Sequence, residues 1–474
     1  MNLKTFFFHG IVFIIFIFSF LRCTEDESYV SNPSQYLSFS RDTVTFDTVF
    51  TSVGSSTKWV KVYNSNTKGV RIRSVHLASG GTTGFRINVD GQSGTAFENV
   101  EIDHKDSIYL FVEVTIDPQD TNSPFLLEDS IIFDLETGKR QAVHLEAFGQ
   151  DAIILKSPLY KNDTQLSAEK PYIVFDSLIV DKDAQLTLQS GTRLYFHDAA
   201  YLGVHGTLVC EGTQEEPVLL RGDRLDRMFS YLPYDRLSAQ WGGVMFYQES
   251  TGNVIRHADI HSGRYGVTCL GGMTEGVKLS MENSIVHNVT SDALSSDNCR
   301  IYAANCQFSN AKGCCVRLIG GYGEFVHCTL AQFYPYDQHE EALWFSNTKD
   351  LALEGAVFHN CYITGNGKDD ISGLREDEGK AFNYLFDHCV VNTVFAETDT
   401  LFKECVVDTL SDRSKNFSLV DFDNFKFDFR LDSLSVARKA ASASYLSSYP
   451  EDLLGNTRTE GNVDAGCYQS VFSK

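Results

Sequence analysis

The sequence predicts an all-β protein in which an N-terminal immunoglobulin-like β-sandwich is followed by a parallel β-helix. Three observations lead to this prediction. The 474-residue chain has 35 glycines but only 9 prolines and many aromatic and β-branched residues, which is typical of short strands joined by glycine turns. Residues 37–150 alternate apolar and polar side chains. Residues 151–474 repeat one strand motif at intervals of about 22 residues, a period typical of a solenoid.

Residues 37–150 are predicted to form the β-sandwich. In "SIYLFVEVTI" the residues Ile108, Leu110 and Val112 fall on one face of a strand. The same alternation recurs in "KWVKVYN" and "QAVHLEAFG", with turns such as Asp90-Gly91 between the strands. The segment resembles the Hydin-like and related immunoglobulin-like modules of bacterial surface proteins, which implies a spacer or adhesive role.

Residues 151–474 are predicted to form the β-helix because seven segments share one pattern. The segments are "HADIHSG", "ENSIVHN", "NCQFSNA", "HCTLAQF", "NCYITGN", "HCVVNTV" and "ECVVDTL". Their common position, which we call the anchor, is occupied by Ala258, Asn283, Cys306, Cys328, Cys361, Cys389 and Cys405. The second residue after each anchor is apolar and the residue before it is polar, so anchors are predicted to point inward and the preceding residues outward. Alternation within an ordinary globular sheet is the alternative interpretation.

The cysteines of these segments are predicted to be structural. Buried free cysteine behaves as a small hydrophobic residue, so Cys361 is interpreted as one step of an inward stack. With Cys23 set aside, eleven of the 12 cysteines remain, and this odd number argues against a complete disulfide framework. The chain has no paired C-x-x-C spacing, so zinc binding by cysteines is not expected.

Residues 1–22 are predicted to be a signal peptide. Lys4 is followed by an apolar run, Phe6 to Leu21, that is short for a membrane span. Cys23 follows the run, and an acidic triplet, Glu25 to Glu27, follows the cysteine. This order resembles a bacterial lipoprotein signal with the surface-export tag of Bacteroidetes lipoproteins. The resemblance implies that Cys23 is acylated, that residues 23–36 form the acylated cysteine and a polar linker, and that the protein is anchored in the outer membrane by lipid and exposed on the cell surface. An ordinary secretory peptide is the alternative.

The charge of the chain limits its partners. There are 62 acidic and 40 basic residues, which gives a net charge of −22 at pH 7. Such a surface repels phosphate backbones and anionic membrane surfaces, so nucleic-acid binding is not expected and membrane contact is expected only through the lipid anchor.

The two ends of the repeat region carry a family resemblance. The stretch that begins "DSLIVDKDAQLTLQSGTRLYF" resembles the opening coils of surface β-helix proteins. The stretch "DLLGNTRTEGNVDAGCYQ", residues 452–469, resembles the terminal D-x-x-G-x-x-R … D-x-G-A-Y pattern of right-handed parallel β-helix proteins, with the altered order Ala465-Gly466-Cys467. The resemblance to this pectate-lyase-like superfamily implies a right-handed parallel β-helix. It is specific for fold, and not for reaction.

Many members of that fold are polysaccharide lyases or hydrolases. A lyase acting on a uronic acid polymer needs a base and a cation that neutralises the developing charge, often calcium. Candidates lie where the repeat is interrupted by insertions, in "DQHEEALW" and "GKDDISGLREDEGK". The catalytic candidates are His339, Glu340, Glu341 and Arg375, and the candidate calcium ligands are Asp369 and Asp370. A hydrolase would need two carboxylates on neighbouring coils, and the sequence does not identify such a pair. Charged loops that are merely solvated are the alternative.

The predicted outward row is a second candidate site, for a polysaccharide or other glycan. Its members are His327, Asn360, Tyr362, His388 and Asn392. His327 and His388 are two coils apart, about 10 Å, so they could contact successive sugars but could not share one metal. The aromatic insertion at residues 226–241 is expected to cover an edge of the solenoid. The predicted function is glycan contact at the cell surface; a polysaccharide lyase and a non-catalytic structural or adhesive protein are the alternatives.

Overall fold

The computed structural model describes residue 29, residues 36–271 and residues 276–471. These form two compact units. The first contains the described residues up to Gln119 together with Pro124–Gln150, and the second contains Asp120–Ser123 and the described residues from Asp151 onward. The predicted signal peptide, Cys23 and most of the predicted linker lie outside the described residues. In the described part of the chain, no helix is both long enough and apolar enough to cross a membrane.

The first unit is a β-sandwich of two five-stranded sheets. One sheet contains, in spatial order, Ser38–Phe39, Lys58–Tyr63, Ser107–Val114, Phe85–Val89 and Gln92–Gly94. The other contains Thr43–Phe50, Arg140–Gln150, Phe125–Leu135, Val70–Leu77 and Ala96–Ile102. Neighbouring strands are antiparallel except Thr43–Phe50 and Arg140–Gln150, which are parallel. The alternating apolar residues of both sheets, such as Leu110 and Val112, are fully buried between them.

The second unit is a parallel β-helix with three long sheets, which confirms the predicted fold class. Face 1 contains Ile153–Lys156, Tyr172–Phe175, Arg193–Phe196, Val218–Gly222, Ala258–His261, Ile285–Val289, Gln307–Ala311, Thr329–Gln332, Tyr362–Gly365, Val390–Val391 and Val406–Val407. Face 2 contains Leu159–Tyr160, Ser177–Val180, Tyr201–Val204, Val244–Phe246, Val267–Cys269, Leu294–Asp297, Val316–Ile319, Leu343–Asn347 and Ile371–Arg375. Face 3 contains Thr164–Leu166, Gln185–Gln189, Thr207–Glu211, Asn253–Arg256, Leu279–Glu282, Arg300–Ala304, Gly321–Val326, Leu353–His359, Phe382–Asp387 and Phe402–Lys403.

The anchors stack on the inner side of face 1, as predicted for six of the seven. The register pairs Asp259 with Ile285 and Ile285 with Gln307, so the anchor of the second segment is Ser284 and not Asn283. The prediction was wrong there by one residue. In "ENSIVHN" both Asn283 and Ser284 are polar, and the predicted anchor is the first of them. Cys361 is fully buried, and it and the ten other described cysteines are free thiols.

The residue before each anchor forms the corner between faces 3 and 1. These residues are His257, Asn283, Asn305, His327, Asn360, His388 and Glu404, and their φ angles lie between 46° and 55°. This left-handed conformation suits asparagine, whose short polar side chain can bond locally. Stacked corners also bond to one another, since Nδ2 of Asn360 donates to Nε2 of His327 at 3.0 Å. The polar character of the position therefore reflects a tight turn, and the prediction that it projects into solvent was wrong for several coils.

The C-terminal segment folds back across the outer side of face 1. It includes the hairpin Phe417–Asp421 and Lys426–Leu431 and the terminal pattern that begins at Asp452. Gly466 has a φ of 92°, and a Cβ at this residue would lie 2.4 Å from Oγ1 of Thr329, so only glycine allows this close approach. Nη2 of Arg458 donates to Oδ1 of Asn305 at 2.8 Å, which fastens the segment to a corner residue.

Short elements complete the second unit. The 226–241 insertion contains the paired strands Arg227–Phe229 and Leu232–Pro233 and the 3₁₀ helix Tyr234–Arg236. Three further 3₁₀ helices are Val394–Glu397, Arg413–Asn416 and Ala443–Tyr445.

Candidate functional site

The outer side of face 1 presents three titratable side chains on two adjacent coils. Ala258 and Ile260 point into the core, so the alternation of the strand turns Asp259 and His261 outward. The register pairs His261 with His287 of the next coil, and the two ring centroids are 4.7 Å apart. The repeat therefore brings together side chains that are distant in the sequence.

Asp259 bridges the two histidines. Its Oδ1 lies 2.9 Å from Nδ1 of His261 and 3.2 Å from Nε2 of His287. Burial alone would raise the pKa of Asp259, but the charges of both imidazoles and their hydrogen bonds hold it below its usual range. Burial lowers the pKa of His261, which is 6% exposed, against the opposite effect of Asp259. The three donor atoms all lie within 4.8 Å of one another.

These side chains lie in a cleft of 460 Å³. One wall is the 226–241 insertion, which contributes Asp235 and Arg236. The C-terminal hairpin contributes the rings of Phe425 and Phe427 together with Phe429, and it contacts the insertion, since Nη1 of Arg236 donates to the backbone oxygen of Asn424 at 3.1 Å. The insertion was expected to cover an edge of the solenoid; the structure places it at the border of the cleft.

The next coil supplies polar groups to the same cleft. Gln307 accepts a hydrogen bond from the hydroxyl of Tyr468 at 2.6 Å and donates from Nε2 to Ser309 at 2.8 Å. Oδ1 of Asn310 is buried and has no hydrogen-bond partner among the residues that the structure describes. The cleft thus combines fixed amide and hydroxyl groups with aromatic rings.

A partly buried arginine, Arg221, lies on the coil before His261. Burial lowers the pKa of Arg221, and Asp235, whose Oδ2 lies 3.8 Å from Nη1 of Arg221, opposes this shift. Nη2 of Arg221 donates to the backbone oxygen of Arg224 at 2.8 Å. The positive charge of Arg221 is therefore partly offset by a carboxylate at the wall of the cleft.

The four predicted catalytic residues do not share a centre in the structure. Nε2 of His339 lies 2.5 Å from Oδ1 of Asn366, and Glu340 forms a salt bridge with Arg317. Arg375 is bonded to Glu378, with 3.3 Å between Nη1 and Oε2. Glu341 follows Glu340 and precedes the buried Ala342, and it is half-buried. His339, Glu340 and Arg375 are therefore bonded to three different residues and do not face one another as a catalytic group.

A second group of donor atoms lies near this loop. Asp292, Cys314 and Glu340 lie within 4.8 Å of one another, but Arg317 bonds to both carboxylates, with Nε 2.9 Å from Oδ2 of Asp292. Burial raises the pKa of the Cys314 thiol far above its usual value. A guanidinium therefore already occupies the position of a cation between these carboxylates.

The predicted calcium ligands lie in different environments. Asp370 is fully buried, burial raises its pKa to about 6, and Nδ2 of Asn392 donates to its Oδ2 at 2.7 Å. Asp369 accepts from the hydroxyl of Thr393 at 3.2 Å. Among the described residues, two groups of three His, Cys, Asp or Glu side chains bring their donor atoms together, and neither group contains Asp369 or Asp370.

Most of the predicted outward row is not accessible. His327, Asn360 and Tyr362 are fully buried, because the C-terminal segment covers this part of face 1. Asn360 donates to the backbone oxygen of Ser442 at 2.9 Å, and the hydroxyl of Tyr362 donates to Asp408 at 2.9 Å.

The last two members of the row differ from one another. Asn392 is buried and bonded to Asp370, whereas His388 is one-third exposed and lies 2.8 Å from Oδ1 of Asp387. The structure therefore does not join the five residues into one exposed glycan surface, and the prediction of their shared exposure was wrong.

The comparisons with known proteins give no family for the chain. No protein-family model matches it, and no curated protein sequence matches it. Among solved structures, the ASH/PapD-like domain of human CEP192 is 13% identical over 25% of this chain and 87% of that domain, with a TM-score of 0.18. A family 123 glycoside hydrolase from Clostridium perfringens is 9% identical over 26% of this chain and 31% of that chain, with a TM-score of 0.19. A protein of unknown function from Porphyromonas gingivalis W83 is 14% identical over 27% of this chain and 59% of that chain, with a TM-score of 0.19. These likenesses carry no argument about function.

Proposed function

We propose that the protein binds a glycan in the cleft on face 1. The observation that carries this proposal is the composition of the cleft, in which phenylalanine rings lie beside fixed amide, hydroxyl and imidazole groups. A sugar has apolar C–H faces and hydroxyl edges, so its binding requires apolar surface together with a few placed donors and acceptors. Gln307, Ser309 and Asn310 provide such groups, and Phe427 provides apolar surface in the same cleft. The glycan belongs to the cell envelope or the diet.

The cleft replaces the outward row as the proposed binding site. His327, Asn360 and Tyr362 of the row lie under the C-terminal segment, whereas the cleft is lined by that segment and by the 226–241 insertion. In a solenoid, departures from the uniform repeat form the borders of ligand sites. Both borders of this cleft are such departures.

The experiment is retention of the purified full-length chain, in detergent, on immobilised neutral and acidic polysaccharides. Phe427→Ala removes apolar surface from the cleft, and we expect it to abolish retention. Phe395→Ala is the matched control, because this ring is 55% exposed and does not line the cleft. Equal retention of both variants and the original chain, or no retention by any polysaccharide, would contradict the proposal.

Polysaccharide lyase activity is the alternative function, and one observation favours it. Arg236 lines the cleft, and elimination beside a uronate needs a positive charge to stabilise the carboxylate in the transition state. The same retention experiment with acidic polymers tests this alternative if the eluate is analysed for unsaturated uronate. Release of that product, lost in Arg236→Ala, supports a lyase; retention without product supports binding alone.

We also propose that the chain is a surface lipoprotein of the outer membrane. The support is the order of the signal-like run, Cys23 and the acidic triplet, together with the resemblance of the repeat region to pectate-lyase-like surface proteins. Two acyl chains or more would anchor the protein stably, where a single chain would not. Cys23→Ala should move the protein from the membrane fraction to the soluble fraction. A variant that stays with the membrane would disprove the anchor.

A further inference from the structure

We propose that Asp259, His261 and His287 bind a divalent first-row transition metal ion, such as zinc, at the floor of the cleft. The proposal is independent of glycan binding, because it concerns three side chains whose donor atoms already converge. It also differs from the calcium site expected at Asp369 and Asp370.

The spacing of the donor atoms suits such an ion. Oδ1 of Asp259 lies 2.9 Å from Nδ1 of His261 and 3.2 Å from Nε2 of His287. Zinc bonds to nitrogen and oxygen are about 2.0 to 2.2 Å long, so neighbouring ligands of a tetrahedral ion are roughly 3.3 Å apart. Small side-chain adjustments would therefore open the cluster to the required size.

The chemistry of the donors selects the class of metal. Calcium and magnesium prefer a shell of oxygen ligands, and two imidazoles do not suit them. Two histidines and one carboxylate are the protein ligands of many zinc and iron sites in which one or more positions remain for water or substrate. Because the three residues line the cleft, these remaining positions face the space proposed for the glycan.

The backbone holds the ligands rigidly. All three lie on face 1, and the parallel register pairs the two histidine positions directly. The indole of Trp241 donates to the backbone oxygen of His261 at 2.7 Å, in the buried interior. Ligands on neighbouring strands of a sheet keep their separation better than ligands on loops.

Carboxylates offset part of the positive charge around the site. Arg221, on the preceding coil, lies 3.8 Å from Asp235, and Arg430 pairs with Asp428 of the hairpin, whereas Arg236 lines the cleft. A divalent ion would meet one carboxylate and two nitrogen donors.

Other histidine–carboxylate contacts in the second unit do not bring three donor atoms together. Asp387 contacts two histidines, His388 at 2.8 Å and His359 at 3.4 Å, but through different oxygens, and these donors do not converge within 4.8 Å. His197 and Asp223 form a pair at 2.6 Å, and His205 and Glu249 form another at 2.6 Å. In the described part of the chain, groups of three donors occur at Asp259–His261–His287 and at the cluster of Asp292, where Arg317 already bonds to the carboxylates. The proposal therefore predicts one site per chain.

The test measures zinc bound by the purified full-length chain after equilibration with zinc and removal of excess ion. We expect one zinc per chain, and we expect His287→Ala and Asp259→Asn each to weaken zinc binding by roughly 100-fold or more. His205→Gln removes a histidine from a two-donor pair and should leave zinc binding unchanged. Calcium at the same concentration should not compete.

X-ray absorption of the zinc-loaded original chain keeps the proposal testable if a variant fails to fold. Two imidazole ligands with oxygen and without sulfur would support the site. A sulfur ligand would instead indicate the cluster at Cys314, and would overturn the proposal. Absence of bound zinc, or zinc retained in both His287→Ala and Asp259→Asn, would also overturn it.

Discussion

Two halves of the outer side of face 1 share one parallel sheet but differ in what covers them. In the coils that contain Asp259, His287 and Gln307, the outward side chains line an open cleft. In the coils that contain Thr329 and Tyr362, the outward side chains are buried under the C-terminal segment. The strands pair in one continuous parallel sheet throughout. Alternation therefore determines which side of the sheet a residue occupies, and the segments outside the repeat determine whether that side is exposed.

The covered half has a second hydrophobic cluster on the outer side of the sheet. Ala331, Tyr362 and Val390 pack there against residues of the C-terminal segment, including Phe417 and Leu431. In the open half, Asp259 and His261 occupy the corresponding outward side, and the cluster reaches only as far as Ile285, which packs at its margin. The difference in outward composition follows the difference in cover, because apolar groups gain free energy only where another surface excludes water from them.

The largest expected effect is a difference in the free energy of unfolding between two substitutions of outward residues, one in each half. Tyr362→Ala removes a fully buried ring and a hydroxyl bonded to Asp408, so we expect a loss of about 3 to 5 kcal/mol in the free energy of unfolding. His287→Ala, in the open half, removes a partly exposed ring and one bond to Asp259, so we expect a loss of about 1 kcal/mol. Denaturant unfolding followed by circular dichroism measures both.

The comparison between the two halves is wrong if Tyr362→Ala and His287→Ala lower the free energy of unfolding by the same amount. Equal losses would mean that the C-terminal segment does not pack on Tyr362 in solution. Arg430→Ala gives a surface reference, because its side chain is 60% exposed, and we expect a change of no more than about 0.5 kcal/mol.

The sequence predicted the fold because the inner side of a β-helix repeats the same environment in every coil. Cys306, Cys328 and Cys361 occupy that side, and their pattern was sufficient to find the solenoid. The candidate site was missed although "HADIHSG" and "ENSIVHN" contain all of its residues. The second anchor was placed at Asn283 instead of Ser284, and this shift of one residue concealed the pairing of His261 with His287.

The cover of the outward row was not predictable from the repeat. Asn360 meets Ser442 of the C-terminal segment, and no period relates this partner to the strands. The partner of Tyr362, Asp408, directly follows the last strand of face 1, Val406–Val407. The resemblance of the terminal pattern implied a fold, but its contacts with the corner residues, such as Arg458 with Asn305, appear only in three dimensions.

A smaller effect concerns the carboxyl of Asp370, beside the covered half. Burial raises its pKa to about 6, whereas an aspartate in an unfolded chain has a pKa of about 3.9. Between pH 4 and 6 the folded state therefore binds the proton more tightly, and its stability falls as the pH rises. The contribution is fully present below about pH 4, is lost through about pH 6, and amounts to roughly 3 kcal/mol.

Asp370→Asn should remove this dependence. We expect the free energy of unfolding of the variant to fall less between pH 4 and 7 than that of the original chain, measured by denaturant unfolding at each pH. Asp369→Asn is the matched control: burial, the main cause of the raised pKa of Asp370, is retained, so the slope should persist with a slight decrease from loss of the Asp369 charge. If the free energy of unfolding depends on pH equally in Asp370→Asn and in the original chain, other groups cause the pH dependence.

The smallest expected effect concerns residues on the inner side of the sheet, where the two halves should not differ. Cys361, in the covered half, and Cys306, in the open half, are both fully buried and stacked in the same inward row. Replacement of either thiol by a hydroxyl places a more polar group among apolar neighbours, so Cys361→Ser and Cys306→Ser should each cost about 1 to 2 kcal/mol. Denaturant unfolding should give equal losses for the two, in contrast to the outward pair, and bound zinc should not change in either. Unequal losses would show that the cover on the outer side also alters the inner row, and loss of zinc in either variant would show that a stacked thiol is a ligand.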